Sequence, residues 1–160
     1  MNLVAKLLLI LVFLALGLSS AALFLNRVPI LDPPGWKTRL LLYMSKNSAE
    51  TDYNSPLPEL HPQLYPLSAQ QLFDITRASV IELDWQVKSL NPSQFSINAI
   101  VITPLLGFKD DVTIRVVEDK SSNSTLHIRS ESRIGRADYG ANLSHVLKLK
   151  FKIQEKLRQK

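Results

Sequence analysis

The sequence predicts a two-layer α+β domain, in which a four-stranded antiparallel sheet carries an N-terminal capped helix and a long C-terminal helix. Three observations predict this fold. A helix-capping residue, Ser68, precedes apolar residues at helical spacing. Four segments between residues 84 and 132 alternate apolar and polar residues and are separated by short turns, and a long segment from Asn142 has no turn signal. The 160 residues leave room for one such domain and an appendage.

The appendage is an apolar run near the N-terminus. Residues 7–25 carry no charge, and a helix of that length spans roughly 28 Å, close to the hydrocarbon thickness of a bilayer. A signal peptide cleaved near Ala22 is one interpretation. A retained anchor is favoured because the apolar run continues through Leu25. We therefore expect residues 1–26 to be a transmembrane anchor or an uncleaved signal, whose partner is the lipid bilayer.

The charges that flank this run give two opposite orientations. Arg27, Lys37 and Arg39 follow the span and outnumber Lys6, so a positive-inside count favours a cytoplasmic domain. A short head carrying Lys6 is typical of a signal-anchor, whose head usually stays inside. We expect a single-pass membrane protein of the cell envelope with its domain on the extracytoplasmic side, which is the periplasm in a bacterium.

Residues 27–66 are expected to form a juxtamembrane segment and a proline-rich linker ahead of an α+β domain at 67–160. Prolines and a glycine between residues 29 and 35 stop any helix that continues from the span. Trp36, with the cations and leucines after it, suits a segment at the membrane surface. Packing of those leucines on the domain is the alternative.

The first helix of the domain is predicted to begin after Ser68, and Gln71 completes a capping box with it. The end of this helix is ambiguous, because Val80 and Ile81 also suit a strand. The residues at spacings of three and four that are expected to face the core are Leu72, Phe73, Ile75, Thr76, Val80 and Leu83.

The strands are predicted from alternation with a period of two and from the turn residues that separate them. Consecutive strands joined by short turns are expected to pair antiparallel. The four predicted strands are residues 84–90, 94–103, 112–118 and 125–132.

The last segment has two interpretations. Residues 147–154 alternate with a period of two, as a strand does, whereas the apolar residues from 143 to 157 also fit one face of a helix. Lys150 and Gln154 fall within that apolar face, which weighs against the helix. The length of the segment without a turn signal favours the helix.

Charged residues are concentrated in two motifs, F-K-D-D-V-T-I-R from residue 108 and R-S-E-S-R-I-G-R-A-D-Y-G-A-N from residue 129. If the third and fourth strands pair, Arg115 and Arg129 can lie on one face of the sheet. Four arginines would then converge near three aspartates. The candidate residues for a ligand site or a structural network are Asp110, Asp111, Arg115, Arg129, Arg133, Arg136, Asp138 and Asn142.

Three interpretations of this cluster remain open. It can be a network of salt bridges that ties the rim of the sheet to the last helix. Its arginines can hold an anionic ligand, since the planar guanidinium group pairs bidentately with phosphate or carboxylate. Alternatively, Asp110 and Asp111 can act as acid and base on an anionic substrate held by Arg115 and Arg133. The apolar loop that contains Leu105, Leu106 and Phe108 also suits an amphiphilic ligand.

Several classes of chemistry lack support in the sequence. The chain has no cysteine, which excludes disulfides and thiolate nucleophiles. The three histidines have no ligand spacing, so neither a metal site nor a cofactor is expected. The C-terminal tail accounts for the net charge of +5. A nucleic-acid partner is not expected, because that tail lacks interleaved aromatic residues apart from Phe151. We expect a non-catalytic binding or assembly domain for an anionic or amphiphilic ligand, with an enzyme as the alternative.

The two motifs, F-x-D-D-V-x-I-R and R-S-x-S-R-x-G-x-x-D-x-G-x-N, resemble an uncharacterised family of small bacterial and plastid domains, catalogued as domain of unknown function fourteen ninety-nine. The resemblance covers residues 45–157, and His-Pro at residues 61–62 is similar to the segment that opens the family's domain. Members often carry a cysteine pair where this chain has S-K-N-S-A at residues 45–49. The resemblance therefore implies no redox role here; it implies a fold and no activity.

Overall fold

The computed structural model describes residues 2–104 and 107–159. Leu105 and Leu106, two residues of the predicted apolar loop, lie outside the described residues. The helices are α1 (Leu3–Asn26), α2 (Trp36–Ser45), α3 (Ala69–Glu82) and α4 (Ala141–Arg158). The strands are β1 (Ser48–Glu50), β2 (Leu64–Tyr65), β3 (Gln86–Asn91), β4 (Ser96–Ile102), β5 (Lys109–Glu118) and β6 (Ser124–Ser132).

The strands form one antiparallel sheet in the order β1-β6-β5-β4-β3, and β2 also pairs with β6. The prediction of an α+β domain with an antiparallel sheet and a C-terminal helix is confirmed. The predicted number of strands was wrong, since the sheet has six strands rather than four. Both additional strands come from the stretch expected to be a linker. They are too short to show a period of two, and they form only because β6 offers an edge on which to pair.

The core lies between the sheet and the helices α3 and α4, which pack on the same face. Strand β5 places Val112, Ile114 and Val116 in this core, and β6 adds Leu126 and Ile128. The intervening side chains of both strands point to the opposite face, which is polar and open to solvent. The alternation read from the sequence therefore identifies the buried face of these two long strands correctly.

Both domain helices form as predicted. The side chain of Ser68 accepts a hydrogen bond from the backbone N–H of Gln71, and the side chain of Gln71 accepts one from the N–H of Ser68, which is a capping box. Helix α4 tolerates polar residues in its apolar face because they reach nearby acceptors. The ammonium group of Lys150 donates to the carbonyl oxygens of Glu59 and His61, at 2.8 and 2.9 Å.

Residues 27–66, which we call the strap, are packed against the domain. Of the two interpretations of the segment after Trp36, one placed Arg39 at the membrane surface; in the structure Arg39 is buried and binds the carboxylate of Glu59. Its guanidinium group also donates to the carbonyl oxygens of Pro29, Asp32 and Pro33. The sequence could not predict this position, because the acceptors come from residues up to twenty positions away. Elsewhere in the strap, Trp36 is half-exposed and stacks with the ammonium group of Lys37.

Helix α1 has 24 residues and a mean hydropathy of 2.7 over its most apolar window, so it is long and apolar enough to cross a bilayer. A signal sequence has the same character. The helix meets the domain at its C-terminal end, where the side-chain amide of Asn26 donates to the carbonyl oxygen of Tyr139 at 2.9 Å. Just beyond the helix, Val28 is buried against Gly140. These contacts place the last turns of α1 beside the start of α4.

Candidate binding cleft beside the N-terminal helix

The acidic pair is divided between the two faces of the sheet. Asp110 pairs with Ser132 across the strands and points into the protein, whereas Asp111 pairs with Glu131 and points to solvent. Neighbouring residues of a strand necessarily point to opposite faces. The structure therefore contradicts the interpretation in which Asp110 and Asp111 act together on one substrate.

The four arginines do not converge either. Arg115 and Arg129 lie on the same exposed face, as expected. Arg115 pairs across the strands with His127 and Arg129 pairs with Thr113, so the two arginines belong to neighbouring cross-strand pairs on that face. Arg129 instead binds the carboxylates of Glu50 and Glu131, at 2.7 and 3.0 Å. Arg136 is exposed in the loop that follows β6.

Arg133 makes a bidentate ion pair with Asp111, and both N–O distances are 2.7 Å. The hydrogen bonds from this guanidinium group hold the pKa of Asp111 below its usual range. Both side chains are about two-fifths exposed. The pair is thus a surface salt bridge. It engages Nε and Nη2 of Arg133, the residue that was considered as a binding group for an anionic ligand.

Asp138 and Asn142 organise the start of α4. The carboxylate of Asp138 accepts hydrogen bonds from the backbone N–H groups of Gly140 and Asn142 and from the side-chain amide of Asn142. The same amide reaches the carbonyl oxygen of Asn47 at 2.7 Å and the hydroxyl of Ser132 at 2.9 Å. The carboxylate of Asp138 thus satisfies N–H groups at the start of α4, whose N-cap residue is Gly140. Asn142, fully buried, links the helix to the sheet and the strap.

A buried polar cluster lies beneath this helix start. The carboxylate of Asp110 is fully buried, and its Oδ2 lies 3.6 Å from Nδ1 of His145. The hydroxyl of Ser130 is 3.1 Å from the same nitrogen and donates to Oδ1 of Asn142 at 2.6 Å. The edge of Trp85 packs on the His145 ring, with 6.0 Å between the ring centroids.

Sequence reasoning missed two members of this buried cluster, His145 and Ser130. His145 was set aside because it had no metal-ligand spacing, although it lies three residues after Asn142 on the apolar face of α4. The alternation along β6 puts Ser130 on the same face as Leu126 and Ile128. The sequence therefore offered one signal for this cluster, a serine and a histidine on otherwise apolar faces, because buried polar groups require hydrogen-bond partners.

The charge states of this cluster follow from its burial. Burial raises the pKa of Asp110 to about 6; the nearby hydroxyl of Ser132 partly offsets the rise, and the charges of Asp138 and Asp111 add to it. Burial lowers the pKa of His145 to about 3, with a smaller contribution from Lys148. At neutral pH the imidazole is uncharged, so Asp110 carries its negative charge without a cationic partner in the cluster.

Asp110 is also at the inner end of a cleft of about 340 Å³ that lies between α1 and the domain. One wall is the apolar C-terminal half of α1, and the other is made by Thr103, Pro104 and Phe108 together with residues between Ile134 and Ala141. Asp110, Ser132 and Asp138 supply the polar groups at its base. A smaller cleft of about 280 Å³ lies between α2, β1 and the rest of the strap. Within residues 2–104 and 107–159, no three His, Asp or Glu side chains are grouped as a metal site requires.

The comparison with known protein families gives one match. The model of the family described as Protein of unknown function (DUF1499) matches residues 42–152. The chain belongs to this family. The predicted resemblance is thereby confirmed, and the family description carries no activity. No curated protein matches the chain.

The DUF1499 match includes most of the strap, the whole sheet and most of α4. It therefore contains Asp110, Asp138, Asn142 and the other members of the buried cluster. Helix α1 lies outside the matched residues. The cleft consequently has one wall from the DUF1499 domain and one wall from the apolar helix that precedes it.

Proposed function

We propose that this DUF1499 protein is a single-pass membrane protein whose domain binds an amphiphilic molecule in the cleft beside α1. The observation that carries this proposal is the composition of the cleft lining. Apolar side chains such as Leu18, Ala22 and Phe108 line it together with the carboxylates of Asp110 and Asp138. The volume of about 340 Å³ falls within the usual range for small-molecule pockets, roughly 300–1,000 Å³.

The surroundings of the cleft support a ligand that comes from the bilayer. Phe108 and Ile134, which line the cleft, are 42% and 66% exposed, and Ile102 at the end of β4 is 57% exposed. These three side chains lie at the end of the sheet that approaches α1. Large exposed apolar side chains beside a membrane-spanning helix are stabilised by contact with lipid. A lipid-like molecule would then enter sideways from the membrane, without crossing water.

The placement of the domain on the extracytoplasmic side is part of this proposal and can be tested separately. The chain has no cysteine, so a single introduced cysteine is its only thiol. Ser121 lies in the exposed turn between β5 and β6, far along the chain from α1. With Ser121→Cys, a membrane-impermeant maleimide should label intact cells as completely as it labels lysed cells. Labelling that requires lysis would contradict this orientation.

Binding is tested with the full-length protein extracted from membranes in a mild detergent. Native mass spectrometry should detect an amphiphile that remains bound in about equal proportion to the protein. Ala22 lines the cleft and Ala21 does not, although both lie on the same turn of α1. Ala22→Trp should abolish the bound mass because the indole fills the cleft, whereas Ala21→Trp should retain it. Wild-type protein that carries no amphiphile, or equal loss in both variants, would refute the proposal.

A further inference from the structure

At the polar base of the cleft, the carboxylate of Asp110 lacks a hydrogen-bond partner. Among the described residues, neither of its oxygens accepts a hydrogen bond of good geometry, and both are buried. The adjacent His145 ring is uncharged, because its pKa is lowered to about 3, and its Nδ1 lies 3.6 Å from Oδ2 of Asp110, which is too far for a hydrogen bond. A buried, unpaired acceptor is costly, and native structures normally satisfy such groups with protein, water or ligand.

Among the described neighbours of Asp110, Ser132 has a hydroxyl that accepts from Asn142 and keeps its own proton, so it can offer the carboxylate one donor. Asn142 and Asp138 have little spare hydrogen-bonding capacity. The side-chain amide of Asn142 already donates to Asn47, Ser132 and Asp138. The carboxylate of Asp138 accepts three hydrogen bonds from the start of α4. At the base of the cleft, the hydrogen-bonding capacity of the Asp138 carboxylate is therefore satisfied, whereas that of the Asp110 carboxylate is not.

The walls of the cleft contribute no positive charge. The described residues that line it include neither lysine nor arginine. The four arginines expected to hold an anion do not line the cleft. Arg115 and Arg129 lie on the opposite face of the sheet, Arg133 is paired with Asp111, and Arg136 is exposed in the loop after β6. A phosphate, sulfate or carboxylate head at this position would face two acidic side chains without compensation, which disfavours it.

We infer that the cleft selects an amphiphile whose head donates hydrogen bonds, either an amine or a hydroxyl, and that Asp110 is the residue that determines this specificity. This inference rests on the proposed function, because it assumes that an amphiphile occupies the cleft. It replaces the anionic ligand expected from the arginine-rich motif. A donor head supplies Asp110 with hydrogen bonds beyond the one that Ser132 can offer, while the alkyl chain lies along the apolar wall of α1.

The test uses three photoactivatable amphiphiles of one chain length: an alkylamine, an alkyl glycerol ether and an alkyl sulfate. Each carries a diazirine in its chain and is presented to the full-length protein in phosphatidylcholine nanodiscs. After illumination, peptide mass spectrometry measures crosslinking to α1 and to the segment around Phe108. The variants are Asp110→Asn, which keeps the shape of the side chain, and the control Asp111→Asn, which lies on the opposite face of the sheet.

The amine and the glycerol ether should crosslink to the cleft at concentrations at which the sulfate does not. Asp110→Asn should weaken labelling by the amine at least tenfold, since a hydrogen bond to a charged group is lost. It should affect the glycerol ether less, because the asparagine oxygen still accepts from a hydroxyl. Asp111→Asn should leave all three unchanged. The difference in labelling between the alkylamine and the glycerol ether then shows whether the cleft prefers an amine head or a hydroxyl head.

The remaining outcomes separate the inference from the function on which it rests. If none of the three amphiphiles labels the cleft, the proposed function is refuted. If all three label it equally and Asp110→Asn changes nothing, the cleft binds alkyl chains and the inference about the head group is wrong. Preferred labelling by the sulfate would also overturn the inference.

Discussion

The guanidinium group of Arg39 forms a bidentate ion pair with the carboxylate of Glu59, with Nη1–Oε1 and Nη2–Oε2 distances of 2.6 and 3.0 Å. Arg39 is 1% exposed and Glu59 is 20% exposed. The pair joins α2 to the middle of the strap, and the remaining donors of Arg39 hold the loop that follows α1. Arg39 therefore helps to fix the segment that joins α1 to the domain, together with the contacts of Asn26 and Val28.

Glu59→Gln should destabilise the protein by about 3 kcal/mol, because it leaves the buried guanidinium group without a compensating charge. The measurement is the free energy of unfolding of the full-length protein in detergent, from urea titration followed by tryptophan fluorescence. The matched control is Glu50→Gln, which removes the carboxylate partner of the half-exposed Arg129. That change should cost less than about 1 kcal/mol. Equal losses in the two variants would show that burial of Arg39 does not govern its contribution.

Gly140→Ala should destabilise the contact between the domain and the segment after α1. The φ angle of Gly140 is +80°, and a Cβ atom there would lie 2.8 Å from Cγ2 of Val28. The left-handed backbone costs about 1–2 kcal/mol, and overpacking adds about 1–3 kcal/mol. The same urea titration should thus report a loss of about 2–5 kcal/mol, the sum of these two effects.

Gly135→Ala separates the two contributions. Gly135 also has a positive φ, +95°, but the nearest atom to an added Cβ is the carbonyl oxygen of Ala137 at 3.6 Å, an ordinary contact. This variant should show only the backbone cost. In addition, Val28→Ala should reduce the effect of Gly140→Ala, because it removes the methyl groups that clash. Additive losses in that double variant would contradict the close approach of Val28 and Gly140.

The parts of the fold that the sequence predicts are those decided by local interactions. The capping box of Ser68 and Gln71 involves residues three positions apart, and β5 and β6 are long enough to show their alternation. The strands β1 and β2 are decided by the free edge of β6, and their two or three residues carry no pattern of their own. Local pattern therefore identifies long elements and misses those formed by tertiary pairing.

The candidate site was predicted only in part, because local pattern indicates some of its residues and tertiary packing supplies the others. The motif draws attention to Asp110, Asp138 and Asn142, which do lie together at the base of the cleft. It also suggested that the arginines belong to the same cluster, although the period of two sends alternate charges to opposite faces. The wall formed by α1 could not be predicted, because it depends on how the strap turns the chain back onto the domain.

The ion pair of Asp111 and Arg133 should contribute little to stability, even though each residue belongs to one of the two charged motifs. Both side chains are about two-fifths exposed, and surface pairs contribute about 0.2–1 kcal/mol. Asp111→Ala and Arg133→Ala should each lower the free energy of unfolding by less than about 1 kcal/mol, and 1 M salt should remove most of the coupling between them. A loss of about 3 kcal/mol or more in either variant would identify the pair as a structural requirement.

Asp110→Asn should change how stability depends on pH. The pKa of Asp110 is raised to about 6 in the folded protein, above its value of about 3.9 in an unfolded chain. Between these values the native state binds more protons, so the contribution of Asp110 to stability falls as the pH rises. The ionised carboxylate then costs on the order of 2–3 kcal/mol at pH 7, because each pKa unit corresponds to about 1.4 kcal/mol. Asp110→Asn should therefore be more stable than wild type at pH 7, and the two should converge near pH 4.

His145 acts in the opposite direction and provides the control. Its pKa is lowered to about 3, so the unfolded state binds more protons up to about pH 6.5, and its contribution to stability rises with pH. Because Asp110→Asn retains His145, the difference between the two unfolding curves isolates Asp110. His145→Asn should shift the pH dependence the other way, since the opposing contribution is removed while Asp110 remains. Parallel curves for wild type and Asp110→Asn between about pH 4 and pH 7 would mean that Asp110 binds the same number of protons in the folded and unfolded states, so that its pKa is not raised by folding. The carboxylate would then not be the unpaired charge on which selection of a donor head depends.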